Sequence, residues 1–278
     1  MKKLFYLMVA IAVLGIIVSG CSIPLKSVVP ISEKGNPKPE LGTPEIDKLV
    51  FVHPKAPDLE KIEFIHWRKG YGKPEGAGKP PKVPTCYDFI GQYGKKLLKW
   101  GELPVSYVIN PVNPVQELDE DLVTDAVFNG AEEWDDNTSA ELSNDIYTTS
   151  TGPETAYGLQ NYENAISFGN YPTTNVIAVT TVWYNPATKA IVEFDVMFDT
   201  DWVWGDADPN NDFVVDNFDV MDLQNISIHE LGHGFGLDDV YDSNCSAVTM
   251  YGVSNYGEIQ KRTLETPDIT GIQTLYEN

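Results

Sequence analysis

The feature that most constrains this chain of 278 residues is the run His229-Glu230-Leu231-Gly232-His233. Residues four apart lie on one face of a helix, so both imidazoles can reach a single cation. Glu230 follows the first histidine and can lean over the same point without ligating. Leu223, Ile228, Leu231 and Phe235 give the segment a buried stripe, which predicts a helix from about Asp219 to Leu237. Gly236, three residues after His233, permits the positive φ of a sharp helix stop. Zinc held with an open coordination position acidifies water and polarises a carbonyl. A carboxylate beside it takes the water's proton and passes it to a leaving amine. The expected chemistry is peptide hydrolysis without a covalent intermediate.

Asp239 stands three residues beyond Gly236, and the resulting HExxHxxGxxD resembles the metzincin zinc proteases, whose usual pattern is HExxHxxGxxH. The departure is the third ligand. The other two histidines, His53 and His66, lie far upstream, and the snapalysin-like metzincins are similar in using Asp at this position. Asp238 and Asp242 are nearby competitors, and spacing favours Asp239. Thr249-Met250-Tyr251-Gly252 looks like the Met-turn, whose methionine forms an apolar floor beneath the metal. Thr263 to Tyr276 is similar to the closing helix of the matrixins, with Pro267 in place of the first of two aspartates and Asp268 at the second. Lys99-Trp100 and the run Leu103 to Tyr107 resemble the opening of the matrixin catalytic domain, so the likeness brackets residues 99–277.

The resemblance implies an α+β domain with a five-stranded, mixed, twisted sheet and three helices. It implies a zinc endopeptidase with one catalytic Zn2+ on His229, His233 and Asp239, and Glu230 as general base. The groove would follow an edge strand, Val176 to Trp183 or its hairpin partner, to which an extended peptide adds by backbone pairing. The pocket for the residue after the cleaved bond would lie between the zinc helix and the segment after Met250. The family's structural zinc is not expected, because its histidines are missing. Calcium is a further expectation. Asp206, Asp208, Asn210 and Asp212 alternate as oxygen donors, but Asn211 and Asn217 at the Gly and closing Glu positions reject an EF-hand, leaving a looser calcium loop or a solvated acidic loop.

The rest of the chain reads as delivery and attachment. Residues 1–20 have two lysines, an apolar run and small residues, the pattern of a secretory signal peptide. Val18-Ser19-Gly20-Cys21 resembles a prokaryotic lipobox, so Cys21 is expected to carry the lipid that anchors the protein outside the cytoplasmic membrane. Residues 21–48 read as a flexible tether, 49–85 as a pro-segment or appendage, and 86–278 as the protease domain. Lys48 to His53 and Lys61 to Trp67 are β-like runs within that second segment. Cys86 and Cys245 form the remaining pair, most simply a disulfide outside the cytosol. The alternative is a cysteine switch, of whose usual context Pro84-Thr85-Cys86 preserves only Pro and Cys.

Charge is uneven: residues 22–100 hold 14 basic and 9 acidic groups, whereas 101–278 hold Lys189, Lys261 and Arg262 against 32 acidic ones. The overall charge of −22 argues against a nucleic-acid partner. Protein or peptide substrates and a monomeric state are expected. The rival reading is a non-catalytic, calcium-binding surface lipoprotein on a metzincin scaffold.

Overall fold

Val176 to Tyr184 is an almost continuous run of β-branched and aromatic residues, the composition of a strand covered on both faces. It forms the centre of the sheet in the computed structural model, which describes residues 58–71, 85–91 and 97–277. The signal segment, Cys21, the tether and the run Lys48 to His53 lie outside the described residues. Among those described, no helix is long and apolar enough to cross a membrane.

The sheet has eight strands: β1 (Glu60–Arg68), β2 (Lys99–Trp100), β3 (Val108–Ile109), β4 (Thr148–Thr149), β5 (Ala165–Gly169), β6 (Val176–Tyr184), β7 (Ala190–Asp199) and β8 (Val253–Ser254). Their order is β8-β1-β6-β7-β5-β3-β4, with β2 pairing beside β7. The five-stranded mixed sheet expected from the sequence is the portion β6-β7-β5-β3-β4. What differs is the edge. The open groove edge is expected at Val176 to Trp183 or its hairpin partner, but β1 pairs antiparallel along the outer side of β6, with Phe64 opposite Thr180 and His66 opposite Ala178.

The strand β7 alternates in sequence as if one face met solvent, yet both faces are buried. The second face carries Glu193 and Asp195, which the loop before β5 covers with donors. Glu193 accepts from the Asn161 N–H at 3.0 Å and from Gln160 Nε2 at 2.9 Å. Asp195 accepts from Gly158 N–H at 2.8 Å. Buried carboxylates require such partners, and alternation alone does not announce them.

Helices α1 (Glu120–Asp135), α2 (Leu223–Gly234) and α3 (Thr266–Tyr276) complete the domain. The stripe of Leu122, Ala126, Ala131 and Trp134 predicts a helix over Leu118 to Leu142, but α1 stops at Asp135, whose carboxylate turns back to accept from Leu142 N–H and Ser143 Oγ–H. Helix α2 is likewise shorter than expected. Asp222 caps it by accepting from Asn225 N–H at 2.8 Å, and Gly236 ends it at φ +110°, where a Cβ would lie 2.8 Å from the Leu98 carbonyl oxygen. The buried faces of α1 and α2 pack together, and Trp134 Nε1 donates to the Ile228 carbonyl at 2.8 Å. Cys86 and Cys245 are disulfide-bonded with Cα atoms 5.2 Å apart. Just beyond Cys86, Asp88–Phe89 pairs antiparallel with Leu237–Asp238.

Candidate metal centre

The geometry begins with α2. His229 and His233 project from one face, and their Nε2 atoms lie 3.2 Å apart. Each ring is fixed from behind. His229 Nδ1 lies 2.7 Å from the Thr249 carbonyl oxygen, and His233 Nδ1 lies 2.9 Å from that of Leu237. Those acceptors place the proton on Nδ1 and leave the Nε2 lone pairs facing each other, the arrangement a metal-binding histidine needs. Asp239 closes the triangle: its Oδ1 is 3.3 Å from His229 Nε2 and 3.5 Å from His233 Nε2. Its Oδ2 accepts from the Tyr241 hydroxyl at 2.8 Å, whereas the buried Oδ1 has no hydrogen-bond partner.

Three donor atoms converging on one point, one of them an unpartnered buried oxygen, fit a divalent cation. The protonation balance agrees. Burial would lower the His233 pKa, but the Asp239 carboxylate raises it to about 9. Burial, helped by the Lys261 ammonium, drives His229 down to about 3.

Asp238 and Asp242 face elsewhere. Asp238 accepts from the Asp239 N–H at 2.8 Å, and Asp242 from the Asn244 N–H at 2.9 Å. Met250 is fully buried against α2. Gly232 permits this approach, because a Cβ there would collide with the Met250 sulfur and with Trp134.

Glu230 is fully buried, and burial raises its pKa to about 7. Its Oε2 accepts from Thr180 Oγ1 at 2.5 Å, and its Oε1 lies 3.0 Å from His66 Nδ1. With a carboxylate as acceptor, His66 carries its proton on Nδ1. Neither Thr180 nor His66 was singled out from the sequence.

The acidic loop is tied together by hydrogen bonds and an ion pair of its own side chains. Asp206 pairs with Arg262. Asp208 accepts from Asp212 N–H at 3.2 Å and Phe213 N–H at 2.8 Å. Asn210 accepts from Asp212 N–H at 3.2 Å and Asp212 from Val214 N–H at 2.9 Å. These oxygens serve the loop's own backbone. Among the described residues, the groups of three acidic, His or Cys side chains with ligand atoms within 4.8 Å of one another are His229-His233-Asp239 and His66-His229-Glu230.

The family model for matrixin matches residues 99–277. The chain belongs to the matrixin family. It is accordingly a zinc metalloendopeptidase, acting on peptide substrates. No curated protein matches the sequence.

In this matrixin two cations secure the centre from behind. Arg262 reaches Asp222 through Nε at 2.9 Å, so it braces the residue that caps α2. Lys261 is fully buried and donates to the Tyr251 carbonyl, with its Nζ 3.5 Å from His229 Nδ1. A signal for both existed in the sequence: they are two of three positive charges in an acidic stretch of 178 residues, and they are adjacent. Isolated cations in such surroundings find carboxylates or carbonyls.

Proposed function

We propose that peptide hydrolysis takes place at His229, His233 and Asp239, in an enzyme held at the outer face of a prokaryotic membrane by a lipid on Cys21. The observation that carries the catalytic reading is the unpartnered Asp239 Oδ1 facing two Nε2 atoms, with Glu230 alongside on the same helix. Zinc held by these three residues supplies Lewis-acid polarisation of the scissile carbonyl and of the attacking water.

The remaining work falls to this chain's side chains and backbone. Glu230 takes the water's proton on its carboxylate and delivers it to the leaving amine nitrogen. Its pKa, raised by burial to about 7, suits both halves of that transfer near neutral pH. The backbone of β6 would align an extended peptide by strand pairing with β1 displaced from that edge. The Thr249 and Leu237 carbonyls hold the imidazoles in place. The membrane attachment is supported by the lipobox-like run ending at Cys21 and the polar tether after it.

Cleavage of an internally quenched peptide by the zinc-loaded full chain tests the reading beside Glu230→Gln. Loss of general-base catalysis should lower turnover by roughly 10²–10⁴-fold, with zinc content unchanged. Turnover insensitive to Glu230→Gln would overturn the assignment.

A further inference from the structure

Lys261 and Arg262 are adjacent, but their charges are met differently. Arg262 pairs with Asp206 and Asp222. Lys261 is fully buried, and among the described residues it forms no ion pair with a carboxylate. Its Nζ donates to the Tyr251 carbonyl and lies 3.2 Å from His66 Nε2. The backbone beneath it is fixed, because Lys261 N–H donates to Asn225 Oδ1 of α2 at 2.8 Å. A buried ammonium needs acceptors for its protons, and here one of them is a side chain from another element.

That side chain sits where the residue after the cleaved bond is expected, between α2 and the segment after Met250. His66 is 1% exposed, its ring centroid lies 4.0 Å from that of His229, and its Nε2 is 3.1 Å from Ser254 Oγ. The strand that carries it runs antiparallel to β6 and parallel to β8, with Trp67 opposite Val253. His66 therefore shows which atoms this pocket offers to an extended chain. Its Nδ1 holds the proton facing Glu230 Oε1 at 3.0 Å, so Nε2 is the acceptor and Lys261 the donor.

His66 Nε2 lies as many covalent bonds from its Cα as the side-chain oxygen of glutamine or glutamate does; the oxygens of asparagine and aspartate fall one bond short. An aliphatic side chain would fill the same space with hydrocarbon and leave the ammonium without that acceptor, which is costly for a buried donor. A cationic side chain would bring like charges together out of water.

Resting on the proteolytic reading above, we propose that Lys261 is the specificity-determining residue of this pocket and selects substrates with glutamine or glutamate immediately after the cleaved bond. The substrate residue takes the place that His66 holds in this structure. Its side-chain oxygen accepts from the Lys261 ammonium, with the Ser254 hydroxyl beside it.

The test uses the zinc-loaded full chain as wild type and Lys261→Met, which keeps an unbranched side chain and removes the ammonium. Four quenched peptides differ only in Gln, Glu, Leu or Lys after the cleaved bond, and product masses identify the bond. Ratios of kcat/KM are taken within each protein, so the fraction of active enzyme cancels. Wild type should favour Gln and Glu over Leu by roughly tenfold or more, the scale of a hydrogen bond to a charged group, and should cut the Lys peptide least. In Lys261→Met the Leu peptide should overtake the other two. A wild-type preference for Leu, or the same Gln-to-Leu ratio in both proteins, overturns the proposal.

Unfolding in urea gives a readout that needs no turnover, because His66 itself fills the pocket. His66→Leu should lower the urea midpoint more than His66→Gln does, and this difference should shrink in the Lys261→Met background, as for two residues in contact. If no peptide is cleaved, this coupling decides. Its presence retains recognition by Lys261 and sinks the proteolytic reading, whereas an equal difference in both backgrounds sinks the proposal. If Lys261→Met does not fold, the order of the four peptides in wild type decides, and without cleavage a His66→Leu midpoint no lower than that of His66→Gln overturns the proposal.

Discussion

The carboxylate of Asp268, in the first turn of α3, accepts a hydrogen bond from the Met250 N–H at 3.1 Å. It also accepts from Thr249 N–H at 2.9 Å and from its own helix's Glu265 N–H at 3.1 Å. One buried side chain thus caps α3 and holds the turn that lies beneath the metal centre. The Thr249 carbonyl, in turn, positions His229. Pro267, which replaces the first of the two family aspartates, occupies the first turn of the helix, where its missing N–H costs nothing.

Asp268→Ala should therefore strand three donors at once and destabilise the protein by about 3 kcal/mol or more. Asp268→Asn retains one acceptor and should fall between alanine and wild type. Urea unfolding followed by tryptophan fluorescence measures both. A loss below about 1 kcal/mol in the alanine variant would show that the clasp on Met250 is dispensable.

The third ligand can be separated from its neighbours by zinc affinity. Asp239→Ala should weaken zinc binding by more than about 100-fold, since even outer partners of a metal site contribute roughly 10–100-fold. Tyr241→Phe removes the hydroxyl that holds Asp239 Oδ2 and should fall within that outer range. Asp238→Ala and Asp242→Ala should stay close to wild type, because those carboxylates serve backbone donors. Competition with a chromophoric chelator ranks the four. Equal losses for Asp238→Ala and Asp239→Ala would remove Asp239 from its assigned place.

How far the sequence could be read follows from the range of each interaction. The spacing of His229 and His233 and the stop at Gly236 are local patterns: the two Nε2 atoms lie 3.2 Å apart and Gly236 stands at φ +110°. Asp239 follows in the same short stretch, its Oδ1 3.3 and 3.5 Å from the two Nε2 atoms. The covered edge was not legible, because pairing between Phe64 and Thr180 joins residues far apart in the chain, and a β-like run does not name its partner. His66 was passed over for the same reason: its link to Glu230 spans 164 residues. In the acidic loop, alternating oxygens read equally well as cation donors and as caps for the loop's own N–H groups.

The bond between Cys86 and Cys245 closes a loop of 159 residues and ties the chain entering the domain to the segment after the third ligand. Replacing both cysteines with serine should cost about 2–4 kcal/mol, read as a lower melting temperature in zinc-free protein. Reductant should bring wild type down to the same temperature and leave the variant unchanged. Two titratable thiols in unreduced, denatured wild type would contradict the bridge.

Asp195 makes stability depend on pH in a direction opposite to that of a paired carboxylate. Burial raises its pKa from 3.8 to about 7, opposed by the Gly158 N–H. The folded state thus holds a proton that the unfolded chain releases near pH 4. This contribution to stability is fully present below about pH 4 and is lost progressively as pH rises to about 7. A gap of three pKa units corresponds to at most about 4 kcal/mol. Asp195→Asn is neutral at every pH and keeps an acceptor for the Gly158 N–H. Wild type should therefore lose stability relative to Asp195→Asn between pH 5 and pH 8, with unfolding free energies from urea titrations at the two pH values as the measure. A difference between the two proteins that stays constant across that range would show that Asp195 is already ionised in the fold, held by its backbone donors against the cost of burial.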